Sequence, residues 1–331
     1  MARLCEGRIV IVTGAGRGIG KAHALEFARH GAKVVVNDIG ANVDGSGSSD
    51  GPAGEVVDEI RAMGGEAVAN GDDVSDWEGA QRLINTAVDT FGGLDVLVNN
   101  AGILRDRMLV NMTDAEWDAV IRVHLRGTFA PTRWAANYWR ERSKEGLANN
   151  ARIINTSSAS GIYGNVGQAN YGAAKAGIAS FSIILSQELA RYGVTVNAIA
   201  PAALTRMTEN LGFAPQDNDP AKFDSFAAEN ISPLVVYLGS EQSASITGRV
   251  FDIVGGHIDV AEGWHAGPSI NKDDRWTVEE LAGLIPDLVE KAAKNADMSG
   301  RIPKLFYRHY RAKAAKRSQS NDRHFWSFAV K

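Results

Sequence analysis

Tyr171 and Lys175, in the run Tyr171-Gly-Ala-Ala-Lys175, are the pair in this chain best suited to move a proton. On a helix, positions four apart share a face, so a phenol and an ammonium lie side by side. A neighbouring cation favours the phenolate and draws a tyrosine pKa down from about 10. Tyr171 is therefore expected to accept or donate a proton near neutral pH. The spacing alone is common wherever a half-buried tyrosine stands beside a solvated lysine. Its company decides the reading.

That company begins far upstream, at Thr13-Gly-Ala-Gly-Arg-Gly-Ile-Gly20. The preceding run Arg8-Ile-Val-Ile-Val12 reads as a buried strand. The following stretch carries Ala22, Leu25 and Ala28 on a helical period and stops at Gly31. Strand, glycine turn and helix form the context of a phosphate-binding loop, in which glycines admit the pyrophosphate and the helix N-terminus faces its charge. Gly14, Arg17, Gly18, Ile19 and Gly20 are the candidate cofactor-binding residues of this loop. A second strand, Lys33-Val-Val-Val36, leads to Asp38, eighteen residues beyond Gly20. An acidic residue so placed accepts hydrogen bonds from an adenosine ribose and repels a 2′-phosphate. NAD is expected over NADP, although Arg17, a cation in the glycine loop, could accept such a phosphate.

Strands and helices alternate along the rest of the chain. Strands are predicted at Glu66-Ala-Val-Ala-Asn70, Leu94-Asp-Val-Leu-Val98, Arg152-Ile-Ile-Asn-Thr156, 194–199 and 249–254. Helices are predicted over 55–63, 76–91, 170–192 and, from the capping box Thr113-Asp-Ala-Glu116, through about Arg142. The alternation predicts an α/β fold, a doubly wound, mostly parallel Rossmann-like sheet with right-handed crossovers. Ligands bind such sheets at the carboxyl ends of the strands. The glycine loop, Asp38, Asn100, Ser158 and the segment after Pro201 all fall there.

A chain of 331 residues that is 44% hydrophobic can build a substantial core, and one α/β domain of about 250 residues with an extension fits the length. The expected division is a Rossmann domain over 1–260 and a C-terminal extension over 261–331. Thr277-Val-Glu-Glu280 is a second capping box, starting a helix near 277–294 with an apolar stripe of Val278, Leu281, Leu284, Ile285, Leu288 and Val289. From Lys294 onward, ten Lys/Arg face two acidic residues, a net of +8 that leaves −12 on the remainder. Such a tail is expected to fold against an acidic surface, of its own or a neighbouring subunit, rather than to bind nucleic acid or a membrane. No apolar run approaches the roughly 18 residues of a membrane span, and the first residues lead straight into a strand without room for a signal peptide. Cys5 is the only cysteine, which points to a reducing, cytoplasmic home. The seven histidines have no metal-ligand spacing, so no metal is expected.

Thr13-Gly-x-x-x-Gly-x-Gly20, Asn99-Asn-Ala-Gly102, Ser158 and Tyr171-x-x-x-Lys175, in that order, resemble the short-chain dehydrogenase/reductase family over about residues 6–260. The thirteen-residue step from Ser158 to Tyr171 matches the family's spacing. Four motifs in fixed order make the resemblance specific. Asn37-Asp-Ile-Gly40, Asn99 to Arg107, Val123-His-Leu-Arg-Gly127 and Ser157 to Tyr171 look most like the (3R)-hydroxyacyl-CoA dehydrogenase domain of the peroxisomal multifunctional β-oxidation enzyme and its stand-alone bacterial relatives.

The resemblance implies an NAD-dependent oxidoreductase that interconverts a 3-hydroxyacyl-CoA and its 3-ketoacyl-CoA, on a fatty-acyl or steroid-like substrate. It implies that Ser158, Tyr171 and Lys175 are catalytic, with Tyr171 and Lys175 also touching the cofactor. Asp73 and Val74 should flank the adenine. Asn100, Ala101 and Gly102 should line the cofactor, and Pro201, Leu204 and Thr205 should contact the nicotinamide amide. His124 stands where the wider family places an asparagine, and it is either a proton relay that makes activity pH-sensitive or a brace for its helix. The resemblance also implies a homodimer or homotetramer, and a lid over Arg206 to Asn230 walled by Phe213, Phe223 and Phe226. The enzymatic alternatives are a hydroxysteroid dehydrogenase and a 3-oxoacyl-carrier-protein reductase. A non-catalytic nucleotide-binding regulator needs no proton relay, and a serine hydrolase would need a Gly-x-Ser-x-Gly elbow that this chain lacks.

Overall fold

Each β-branched run becomes a strand of one sheet. In the computed structural model, which describes residues 3–41, 51–204 and 223–302, these are β1 (Ile9–Thr13), β2 (Lys33–Asn37), β3 (Glu66–Asn70), β4 (Val96–Asn99), β5 (Ala151–Thr156), β6 (Val194–Ala202), β7 (Val250–Val254) and β8 (His257–Ala261). Their order across the sheet is β3-β2-β1-β4-β5-β6-β7-β8. The first seven run parallel. Parallel strands covered on both faces need no alternation of apolar and polar residues, and β4 and β5 are buried throughout. The last strand was not expected from the sequence. It returns antiparallel through a turn at Gly255, whose φ of +56° suits glycine, and pairs Asp252 with Asp259.

Helices α1 (Gly18–Arg29), α2 (Gly51–Ala62), α3 (Trp77–Phe91), α4 (Asp114–Ile121), α5 (Gly127–Lys144), the short α6 (Ala159–Ile162), α7 (Ala169–Glu188) and α8 (Ser232–Gly239) connect the strands. Two apolar clusters cover the sheet. One joins Val10, Val12, Val34 and Val36 to Phe27 of α1 and Val235 of α8. The other joins Ile11, Val35 and Leu97 to Leu83 of α3 and Trp139 of α5. Strand order reverses between β1 and β4, and a crevice at the carboxyl ends of a doubly wound sheet opens at such a switch point.

The long helix expected after Thr113 is interrupted. Residues Arg122–Arg126 form a π turn between α4 and α5. A π turn adds one residue to the helical repeat and so re-aims the side chains it contains. His124 is the residue of that turn driven into the interior.

The chain divides into two compact units, Met1–Trp264 and His265–Lys331. In the second, Thr277 caps α9 (Val278–Lys291) in a full capping box with Glu280. Among the described residues, no helix is long and apolar enough to cross a membrane. The basic stretch beyond 302, Thr205 and most of the expected lid lie outside the described residues.

Candidate active site

The cofactor side of the crevice is assembled from strand ends laced together by side chain–backbone hydrogen bonds. Thr13 Oγ1, at the end of β1, accepts from the N–H groups of Asn100 (2.9 Å) and Ala101 (3.1 Å). Asn100 Nδ2 returns two bonds, to the carbonyls of Thr13 (3.0 Å) and Gly14 (3.2 Å). Gly14 sits at φ +62° and Gly18 at φ +53°, and a Cβ on Gly14 would lie 2.7 Å from the Ala101 Cα. Only glycine allows the loop to pass this close to the end of β4.

Asp38 is anchored through both carboxylate oxygens, Oδ2 accepting from Gly16 N–H at 2.8 Å and Oδ1 from Gly40 N–H at 2.7 Å. Each oxygen keeps a further lone pair for a ribose hydroxyl. Asp73 is held by Ser75 N–H at 2.8 Å and by Arg122 Nη2 at 2.9 Å, while Val74 is buried next to it. Arg17 precedes α1 as an exposed residue. Pro201 lies in β6 opposite Ile253, and Leu204 N–H donates to Phe226 O at 2.7 Å. The glycine cradle at the α1 N-terminus and the anchored carboxylate at the end of β2 suit a dinucleotide: backbone close enough for a pyrophosphate, acceptors for a ribose.

The reactive side is built by β5 and α7. Ser158 leaves β5 in an extended conformation, φ −165°, and caps α6. Its Oγ accepts from Ser160 N–H at 3.2 Å, which leaves the Ser158 proton free to donate. Tyr171, on the first turn of α7, shares a hydrogen bond with Ser158. Ser157 Oγ donates to Lys175 O at 2.8 Å and pins α7 to the end of β5. Ser158, Tyr171 and Lys175 are thus brought together.

Two electrostatic expectations reverse here. Burial pushes the Tyr171 phenol up to about 12, against the opposing pull of its Ser158 hydrogen bond, and Asp106 pushes it further in the same direction. Lys175 does not reach the phenol oxygen: Nζ donates to Thr156 O at 2.6 Å and lies 5.5 Å from the Tyr171 ring centre. Burial lowers the Lys175 ammonium to about 7. Side-by-side placement on one helix face therefore produces a phenol protonated at neutral pH. In the protein itself, desolvation outweighs the neighbouring charge.

His124 is buried inside the π turn. Burial, and then the charge of Lys175, lower it to about 3, so it is neutral and does not itself titrate near neutral pH. Its Nε2 lies 2.7 Å from Ile103 O. The tautomer that donates there leaves Nδ1 as an acceptor, and Nδ1 is buried with no partner among the described residues. The ring meets Tyr171 edge-on, with centroids 5.1 Å apart, and it packs against Gly102.

Sequence reasoning passed over three residues that shape this wall. Asn170 is fully buried, its Nδ2 donating to the carbonyls of Arg105 (3.0 Å) and Glu116 (3.2 Å). Gln168 and Asp106 are joined by a 2.7 Å hydrogen bond. The available signal was a run of amides, Gln168 and Asn170, at the start of an otherwise small and apolar helix.

With this geometry in place, comparison with known proteins gives the family. The pattern of the short chain dehydrogenases matches residues 8–216. The chain is 44% identical over 289 residues to hydroxyacyl-CoA dehydrogenase ChsB1 of Mycobacterium tuberculosis, spanning 85% of this chain and 88% of that protein. It is 47% identical over 258 residues to peroxisomal multifunctional enzyme A of Dictyostelium discoideum, covering 78% of this chain but 55% of that longer protein. A crystal structure of a short chain dehydrogenase from Mycobacterium avium superposes with a TM-score of 0.80 at 56% identity, over 88% of this chain and 98% of that one. This chain belongs to the short chain dehydrogenase family. It is an oxidoreductase that acts on a carbon-bound hydroxyl with a nicotinamide cofactor.

Proposed function

We propose that the protein interconverts a 3-hydroxyacyl-CoA and the corresponding 3-ketoacyl-CoA, with NAD as its cofactor. The observation that carries the chemistry is the hydrogen-bonded Ser158–Tyr171 pair beside buried Lys175 at the carboxyl end of β5. The acyl-CoA class is supported by a relative named for hydroxyacyl-CoA that matches over most of its own length. The cofactor, when bound, supplies the hydride acceptor or donor.

The protein's own groups handle the proton and the charge. Ser158 accepts from Ser160 N–H and so directs its hydroxyl proton at the substrate oxygen, stabilising charge that develops there. For ketone reduction Tyr171 donates its phenol proton to that oxygen, the role for which a phenol near 12 is already loaded. For alcohol oxidation the same oxygen removes the hydroxyl proton, and the reaction accelerates as pH rises. Lys175, buried and held by Thr156 O, fixes the position of its helix turn and lies 5.5 Å from the ring centre. Asp38 favours NAD, because a carboxylate anchored through Gly16 and Gly40 cannot swing away from a 2′-phosphate.

The experiment is turnover of a panel of 3-hydroxyacyl-CoA thioesters of increasing chain length, including steroid side-chain thioesters, with NAD and with NADP. Free hydroxysteroids and acyl-carrier-protein thioesters run in parallel. Preference for NAD and CoA thioesters is expected. Faster reduction of carrier-protein thioesters with NADPH would replace this reading with the reductase alternative.

A further inference from the structure

A chain of hydrogen bonds reaches the reaction centre from a carboxylate that the proposed mechanism does not use. Asp106 lies on the segment that leaves β4, and its Oδ2 accepts from Gln168 Nε2 at 2.7 Å. Gln168 Oε1 accepts from Ser160 Oγ at 2.6 Å and from Asn165 Nδ2 at 3.0 Å. Ser160 N–H then donates to Ser158 Oγ at 3.2 Å. Gln168 and Ser160 are both buried, and Gln168 immediately precedes α7, three positions before Tyr171. The backbone closes the same clasp, Arg107 N–H donating to Gly167 O at 2.8 Å.

The direction of this chain has one origin. An ionised carboxylate only accepts, so Gln168 must turn its amide NH2 toward Asp106 and its oxygen toward Ser160. That oxygen then takes the Ser160 hydroxyl proton, and the α6 turn bearing Ser160 N–H is fixed against Ser158. Among the described residues, the charged and titratable groups facing Tyr171 are few. Lys175 comes from its own helix, Asp106 from the post-β4 segment, and His124, neutral, from the π turn. Arg107, next to Asp106, is committed to Glu116 at 2.7 Å, and the Arg105 carbonyl is taken by Asn170.

We propose that Asp106 is a positioning residue of this reaction, orienting Ser158 through Gln168 and Ser160 while facing the Tyr171 phenol with a negative charge. This rests on the roles given above to Ser158 and Tyr171. A negative charge there disfavours the phenolate and keeps Tyr171 loaded as an acid.

The test is the pH profile of 3-hydroxyacyl-CoA oxidation with NAD, for wild type, Asp106→Asn, Gln168→Met and Tyr171→Phe. Asp106→Asn keeps the shape but removes the charge and lets the Gln168 amide turn either way. Its kcat is expected to fall about tenfold, the scale of a small misplacement at a reacting centre. The limb of the profile that rises with pH should also move to lower pH by about half a unit, the order of one screened charge. Gln168→Met keeps the charge and cuts the chain, so kcat should fall with the limb in place. KM and NAD binding should change little in either. An unmoved limb in Asp106→Asn, a change confined to KM, or wild-type kcat in Gln168→Met would overturn the proposal. Activity retained by Tyr171→Phe would instead overturn the assignment of the reaction centre.

Discussion

Tyr171 and Lys175 show that neighbouring side chains need not set each other's charge state in the expected sense. The ammonium is near the ring, yet burial moves both groups toward neutrality, Tyr171 to about 12 and Lys175 to about 7. In the proposed mechanism the phenol oxygen is the atom that exchanges a proton with substrate. Tyr171→Phe removes it and little else, so turnover should fall by about a thousandfold while NAD affinity, measured by fluorescence titration, stays close to wild type. Near-normal rates on every accepted substrate would end the mechanism. Asp38 carries a second expectation at this scale. Both its oxygens are held by backbone N–H groups, so its charge is fixed at the end of β2. Asp38→Ala should raise kcat/KM with NADP relative to NAD by about ten- to a hundredfold, the equivalent of a few kcal/mol of relieved repulsion. If wild type already prefers NADP, then Arg17, not Asp38, governs the choice.

At the scale of elements, the reaction centre depends on how α7 is tied to its surroundings, and Asn170 does most of the tying. Its amide bonds the carbonyls of Arg105 and Glu116 and accepts from Tyr171 N–H at 2.8 Å, joining α7 to the post-β4 segment and to α4. Asn170→Ala removes the side-chain donor from two part-buried carbonyls and the acceptor from Tyr171 N–H. A loss of about 3 kcal/mol is expected, read as a lowered urea midpoint, with kcat falling further than NAD affinity because Tyr171 sits on the freed turn. An unchanged midpoint would show that water replaces the amide. The same elements show what the sequence reveals and what it does not. The strand–glycine loop–helix unit at 9–29 and the strands β2, β4 and β5 were legible because β-branched runs and glycine spacing are local signals. The π turn at Arg122–Arg126 was not, because a capping box and a helical period look the same whether or not one residue is inserted. Asp106, Gln168 and Ser160 act only once α6, α7 and the segment after β4 meet, and no local spacing announces that meeting. His124 was visible as an oddity, but its neutral state is set by burial that only the folded chain creates.

The unit Met1–Trp264 packs apolar clusters over one sheet, and two neutral histidines are buried within it. His23 of α1 bonds Ser232 at the start of α8 through Nδ1 at 2.9 Å, and its Nε2 is buried without a partner among the described residues. His124 occupies the π turn near the reaction centre. Burial lowers both from the ordinary 6.5 to about 3. The sign follows from proton uptake. Below the ordinary value the unfolded chain protonates both rings while the folded protein protonates neither until about pH 3, so stability is intact above 6.5 and declines as pH falls from there. Two such groups should remove about 3 kcal/mol between pH 6.5 and 5. Lys175, lowered to about 7, and Tyr171, raised to about 12, exchange their protons at higher pH and contribute little to this interval. The carboxylates whose pKa is depressed, Glu116, Glu141, Glu280 and Asp297, take up protons at still lower pH. His23→Gln, which removes one titrating ring away from the reaction centre, should halve the slope. Urea midpoints at pH 7, 6 and 5 measure it directly. A wild-type midpoint that holds steady across that range, or a His23→Gln slope equal to wild type, would mean that the buried rings take up protons in the folded protein after all.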